Sequence, residues 1–208
     1  MEPVIAEYIS NNNREFQRYN SWNHCFEAFG TLKDEKLLSL HLGFYLASWG
    51  MYRGSSKLLE RDFLVHLDAV EIIKNHKDLR CNSKHEVSLR DVDTIRRLIK
   101  ELSAYYKNIH SVTPTDTLIS KIILGTLGCL PAFDRFFLDG VKEHGYDFKS
   151  LNEKSLISLF DFSDKNKDNL GMIQKKYPLY PLMKLVDMYF WQVGFERYAK
   201  RHPYSTKH

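Results

Sequence analysis

The stretch Asn108-Ile-His-Ser-Val-Thr-Pro-Thr-Asp-Thr-Leu-Ile-Ser-Lys-Ile-Ile-Leu-Gly-Thr-Leu-Gly-Cys-Leu-Pro-Ala-Phe-Asp-Arg-Phe-Phe137 decides the fold. It reads as a helix end, a tight turn, a second helix, a loop and a third helix start. Thr113 is placed to cap the second helix, Pro114 suits a first helical position, and Asp116 favours the positive helix end. That helix is predicted from the Thr113 cap to about Leu127, where Gly128 stops it. After Pro131 a further helix is predicted from near Phe133 through Val141.

Working outward, apolar residues recur at three- and four-residue steps, the signature of amphipathic helices. Val92, Ile95, Leu98, Ile99, Leu102 and Tyr106 predict a helix over Leu89 to Asn108, and Phe63, Leu64, Leu67, Val70 and Ile73 another over about Glu60 to Asn75. The longest is predicted from Asp34 to about Glu60. The polar stretch from Asn75 to Lys84 reads as a loop, and that from Ser163 to Lys176 as an exposed loop or short helix. A final amphipathic helix covers about Pro181 to Arg201. No run alternates polar and apolar residues with β-branched enrichment, so the predicted class is all-α with eight to ten helices. Residues 1–208 read as a single compact helical domain, with a hairpin-like segment at about 95–141.

Composition excludes several classes. A chain of 208 residues that is 43% hydrophobic and 13% aromatic, with 10 Gly and 6 Pro, is no disordered or fibrous protein. Its formal charge of +4 permits a polyanionic partner without requiring one. Cys25, Cys81 and Cys129 are widely spaced and form no C-x-x-C pair, so neither a disulfide framework nor a zinc site is signalled, and a reducing cytoplasm fits. No segment approaches the run of about 20 apolar residues that crosses a bilayer. The nine His show no metal-like spacing. H-E-x-x-H, P-loop, G-x-G-x-x-G and G-x-S-x-G motifs are absent, so no metal and no cofactor is predicted.

The segment from Ile109 to Val141 resembles the central motif of the helix-hairpin-helix DNA glycosylases. In some members of that superfamily the second hairpin helix is followed by L-G-x-x-x-P-x-x-D and a further helix, and the Asp is catalytic. The resemblance implies a two-lobed helical fold, double-stranded DNA as partner, and Asp134 as the catalytic group. Chemically, cleaving an N-glycosidic bond builds positive charge on the sugar, which a fixed carboxylate stabilises while water attacks. The family's bifunctional members carry a Lys near the start of the second hairpin helix as a Schiff-base nucleophile. Here that region reads Thr115, Asp116 and Thr117, with Lys121 a turn later, which implies a monofunctional enzyme. The family's hairpin glycines have no counterpart in Ser111 to Thr115. DNA contacts are therefore placed on Thr113, Thr115 and Thr117 at the helix start and on Arg135. Asp134 as a plain helix cap stays open.

A flipped base needs stacking faces and hydrogen-bonding groups. On one continuous helix His41, Tyr45, Trp49, Tyr52, Arg53 and Ser56 would form a stripe, flanked by Gly43, Gly50 and Gly54, and with Trp22 of the Asn-rich run 11–24 they are the candidate base pocket. Core packing is the competing account of these aromatics. Arg53 calls for an anion, with Asp134, Asp187 or a DNA phosphate as candidates, and Asp187 inside an apolar helix calls for Arg53 or a Lys.

The predicted function is excision of a damaged or modified base, such as a modified cytosine of phage DNA in anti-phage defence. The alternative is a non-catalytic helical module that binds nucleic acid or protein. A third candidate is an RNA-cleaving toxin of the HEPN type, whose R-x-x-x-x-H pattern is matched best by Arg61 and His66.

Overall fold

A computed structural model describes residues 1–12, 16–53 and 56–202. Residues 13–15 of the Asn-rich run and Gly54 beside the aromatic stripe lie outside the described residues. Among those described, the chain is all-α, with ten α-helices and no strand, a single antiparallel bridge joining Asn82 and His85. The helices are α1 Glu2–Asn12, α2 Asn20–Thr31, α3 Glu35–Ser48, α4 Leu67–Asn75, α5 Val92–His110, α6 Asp116–Thr126, α7 Arg135–Glu143, α8 Glu153–Lys165, α9 Lys167–Lys176 and α10 Leu182–Arg201.

Helix α6 is the centre of the molecule, with every residue from Leu118 to Thr126 buried. Its run of Ile and Leu matches the rule that a helix apolar on all sides lies inside a core. Helices α2, α3 and α5 pack around it, and α7 lies along α10. The α7–α10 crossing depends on two glycines. A Cβ on Gly140 would collide with the carbonyl oxygen of Phe190, and one on Gly194 with that of Phe136. The turn before α7 meets α10 separately, its Ala132 N–H donating to Asp187 Oδ1.

Several boundaries differ from expectation for identifiable reasons. Helix α6 is capped by Thr115, whose side chain accepts the Leu118 N–H, so the cap is two residues later than the predicted Thr113. The helix predicted to reach Glu60 ends at Ser48. Gly50, at φ +77°, donates to the Ala47 carbonyl, and Met51 donates to that of Leu46, the paired bonds of a Schellman stop. The stripe is thereby cut at Trp49, and Tyr52, Arg53 and Ser56 follow in turns rather than on the same helical face. Beyond it, residues 58–66 form two short 3₁₀ turns before α4. The polar stretch 163–176 contains the end of α8 and all of α9.

The three thiols are buried. Burial pushes each of them, Cys25, Cys81 and Cys129, well above the ordinary thiol range. Among the described residues no helix is long and apolar enough to cross a membrane, and no cluster of His, Cys, Asp or Glu is arranged to hold a metal ion.

Candidate functional site

Asp134 begins α7 as its cap, with Oδ1 accepting the Phe137 N–H at 3.1 Å. Its second oxygen accepts from Lys121 Nζ of α6 at 2.8 Å, and the two side chains are 14% and 4% exposed. The cap and the ion pair therefore use different oxygens. The turn before Asp134 is fixed from both sides. Phe133 N–H donates to Ser120 Oγ at 2.8 Å, and Thr117 Oγ1 donates to the Phe133 carbonyl at 2.9 Å. From α10, Asp187 Oδ1 accepts the Ala132 N–H at 3.0 Å.

Asp187 holds a second buried pair, accepting from Lys184 Nζ at 2.8 Å with both side chains almost wholly enclosed. Lys184 also lies 3.4 Å from Tyr8 Oη. Desolvation holds the Lys184 ammonium below the ordinary lysine range, against the pull of Asp187. Burial raises the Tyr8 and Tyr45 hydroxyls well above the usual phenol range, so both stay protonated donors.

These two Lys–Asp pairs form the floor of a small cavity walled by Tyr8, Tyr45, Trp49 and Trp191. Its interior, about 10 Å³, has room for one water molecule. Trp49 meets Trp191 and Tyr19 edge-on at ring separations of 5.9 and 5.5 Å, and Lys121 Nζ lies 4.9 Å from its ring centre. The buried indole nitrogen of Trp49 has no hydrogen-bond partner. The site thus combines two enclosed carboxylates, two amines, aromatic walls and one unsatisfied donor. It can stabilise a cation beside Asp134, orient a water, or present an amine.

No family model matches the chain. Neither a curated protein nor a solved structure is significantly similar to it.

Of the residues singled out by sequence, Asp134, Asp187, Tyr45 and Trp49 come together at the cavity. The others do not line it. Trp22 is buried in the core, stacked on Phe26, its indole N–H donating to the Leu124 carbonyl at 2.9 Å. His41 sits in a shallow groove beside His24, between α2 and α3. Tyr52 Oη pairs with His66 Nε2 at 2.8 Å, and burial pushes the phenol up to about 12. Ser56 Oγ donates to the Met51 carbonyl at 2.5 Å. Arg53 is exposed, its guanidinium against Gly50, and neither acid pairs with it: Asp134 takes Lys121 and Asp187 takes Lys184. Thr115 caps α6 and Thr117 braces the turn before Asp134, Thr113 is exposed with its N–H on the Ser56 carbonyl, and Arg135 is exposed beside Asp134.

His66 is fully enclosed, its other nitrogen 2.7 Å from Tyr106 Oη. An imidazole sealed between two phenols meets no RNA, which removes the main support for the toxin. Sequence reasoning passed over Lys184, Tyr8 and Trp191, and set Lys121 aside as a turn too late without giving it a partner. A signal for Lys121 was present: one Lys within Leu-Ile-Ser-Lys-Ile-Ile-Leu has to find a buried acid.

Proposed function

We propose that the protein is a monofunctional DNA N-glycosylase, with Asp134 stabilising the sugar cation while a water attacks. The observation that carries this is Asp134 itself, braced by Lys121 at the floor of an aromatic-walled, water-sized cavity. An enclosed carboxylate in low dielectric interacts strongly with a positive charge developing beside it. On this reading the cavity is the closed state, and Trp49 swings aside when a nucleotide rotates out of duplex DNA. The helix-hairpin-helix resemblance points to the two-lobed arrangement and the base class, a damaged base or a modified cytosine of phage DNA in anti-phage defence, and the unpaired thiols point to a reducing cytoplasm. Incubation with plain and phage DNA followed by mild alkali tests it: strand breaks appear with the natural protein and vanish in Asp134→Asn, which keeps a capping side chain. Absence of breaks on every substrate favours the non-catalytic binding module.

The Lys121 to Asp134 contact favours a second route on the same substrate. With Lys121 Nζ at 2.8 Å from the carboxylate, Asp134 would take the ammonium proton, the freed amine would bond to the anomeric carbon as its bond to the base breaks, and opening of the C1′–O4′ bond, with a proton passing to O4′, would leave an imine to the opened sugar. Borohydride decides between the routes, because it reduces such an imine to a stable protein–DNA adduct. An adduct lost in Lys121→Ala establishes the amine route, and excision with no adduct establishes water.

A further inference from the structure

Several basic side chains near the described surface are engaged by acids. Lys74 pairs with Glu35, Arg96 with Asp93 and Glu153, Lys149 with Asp147, and Arg197 with Glu143. Arg18 and Arg135 differ. Both are exposed, and neither has an acidic partner among the described residues. Each guanidinium is instead held against two aromatic rings, Arg18 at 5.1 Å from Trp49 and 5.5 Å from Tyr19, Arg135 at 4.4 Å from Tyr198 and 4.7 Å from Phe136. Both ring pairs converge on one side chain. Trp191, a wall of the cavity, lies 5.9 Å from Trp49 and 5.3 Å from Phe136.

We infer that Arg18 and Arg135 are two phosphate-holding arms that lay a single phosphodiester strand across the mouth of the Asp134 cavity. Ring stacking fixes the plane of a guanidinium while leaving its outer N–H fork free, the arrangement that grips a phosphate through two parallel hydrogen bonds. An arm bound to an acid would have to surrender that bond first. Contacts of this kind set register and orientation, which here means which nucleotide faces Asp134. The unsatisfied indole N–H of Trp49, between Arg18 and the cavity, is a donor for that nucleotide.

The inference rests on the DNA reading of the cavity, and the test separates the two. Binding of a fluorescently labelled duplex is measured by anisotropy against potassium chloride for the natural protein, Arg18→Ala, Arg135→Ala and, as control, Lys149→Ala. Thermal melting confirms that each variant folds. Each arginine variant is expected to lower the slope of log affinity against log salt by about 0.9, the loss of one phosphate contact, while Lys149→Ala leaves it unchanged. Arg135→Lys restores the slope with weaker binding, since the planar fork is gone. Unchanged slopes in both alanine variants overturn the inference and leave the glycosylase reading standing. Lack of DNA binding by the natural protein overturns both. Lowered slopes with no abasic sites formed support the two arms and sink the excision chemistry.

Discussion

Each acid at the cavity floor divides its two oxygens between a backbone N–H and a lysine, so both carboxylates are satisfied while facing the same space. Removing one member of such a pair strands the other. Lys184→Met should cost about 3–5 kcal/mol, because it leaves Asp187 enclosed without its counter-charge. In a chain of this size that corresponds to a melting temperature lower by about 10 °C, and a loss under 2 °C would refute the account of the pair. Glu86 gives a pH-dependent counterpart. Burial raises its carboxyl above the usual range, although it accepts from Leu182 N–H and Gln174 Nε2. Its folded value therefore exceeds its unfolded one. Glu86 favours folding below the unfolded value of about 4.5, and this contribution is lost as pH climbs through the folded value. Glu86→Gln should accordingly melt a few degrees higher at neutral pH and flatten the fall in stability as pH rises above about 4.5, as read by melts at stepped pH. Asp187 shows how far a single residue is legible. That an acid inside Leu-Val-Asp-Met-Tyr-Phe needs a partner follows from sequence, and Lys184 one turn back provides it. Arg53 was a poor candidate only once the chain reversed at Gly50.

Helix periods were legible because the apolar residues repeat cleanly, yet the ends were set by short-range chemistry that periodicity ignores. The α3 stop is the clearest case, since the apolar pattern runs on past Ser48 while the Gly50 bonds turn the backbone away. Gly50→Ala would force a Cβ into the left-handed region at φ +77°, costing about 1–2 kcal/mol. Because Trp49 precedes that glycine, the variant should also perturb the Trp49 indole NMR signal while leaving that of Trp22 in place, and a silent spectrum would contradict the link. The α7–α10 crossing has a different sensitivity. Gly140→Ala pushes the two helices apart against the Phe190 carbonyl, an overpacking cost of about 1–3 kcal/mol, and shifts Asp134 relative to Asp187. Calorimetry should therefore show a lower melting temperature for this variant, by about 2–10 °C. Neither glycine announced this role in sequence, where each is only a small residue within a helical pattern.

For the whole molecule, the all-α class followed from one-dimensional pattern, whereas the choice of neighbours did not. Asp134 caps α7 while Asp187 lies within α10, and the packing of these elements with α6 makes them one site. Burial of α6 from Leu118 to Thr126 predicts that its amides exchange with solvent slowest, together with the first half of α10, and much later than those of α9. Hydrogen-exchange mass spectrometry checks this order.

The three sequestered thiols carry a practical corollary. Sulfurs kept from solvent and from ionisation react with an alkylating reagent only after the chain opens. Cys25 lies in α2, Cys129 in the turn after α6, and Cys81 in the stretch between α4 and α5, so timed iodoacetamide pulses would record, sulfur by sulfur, which part of the molecule gives way first.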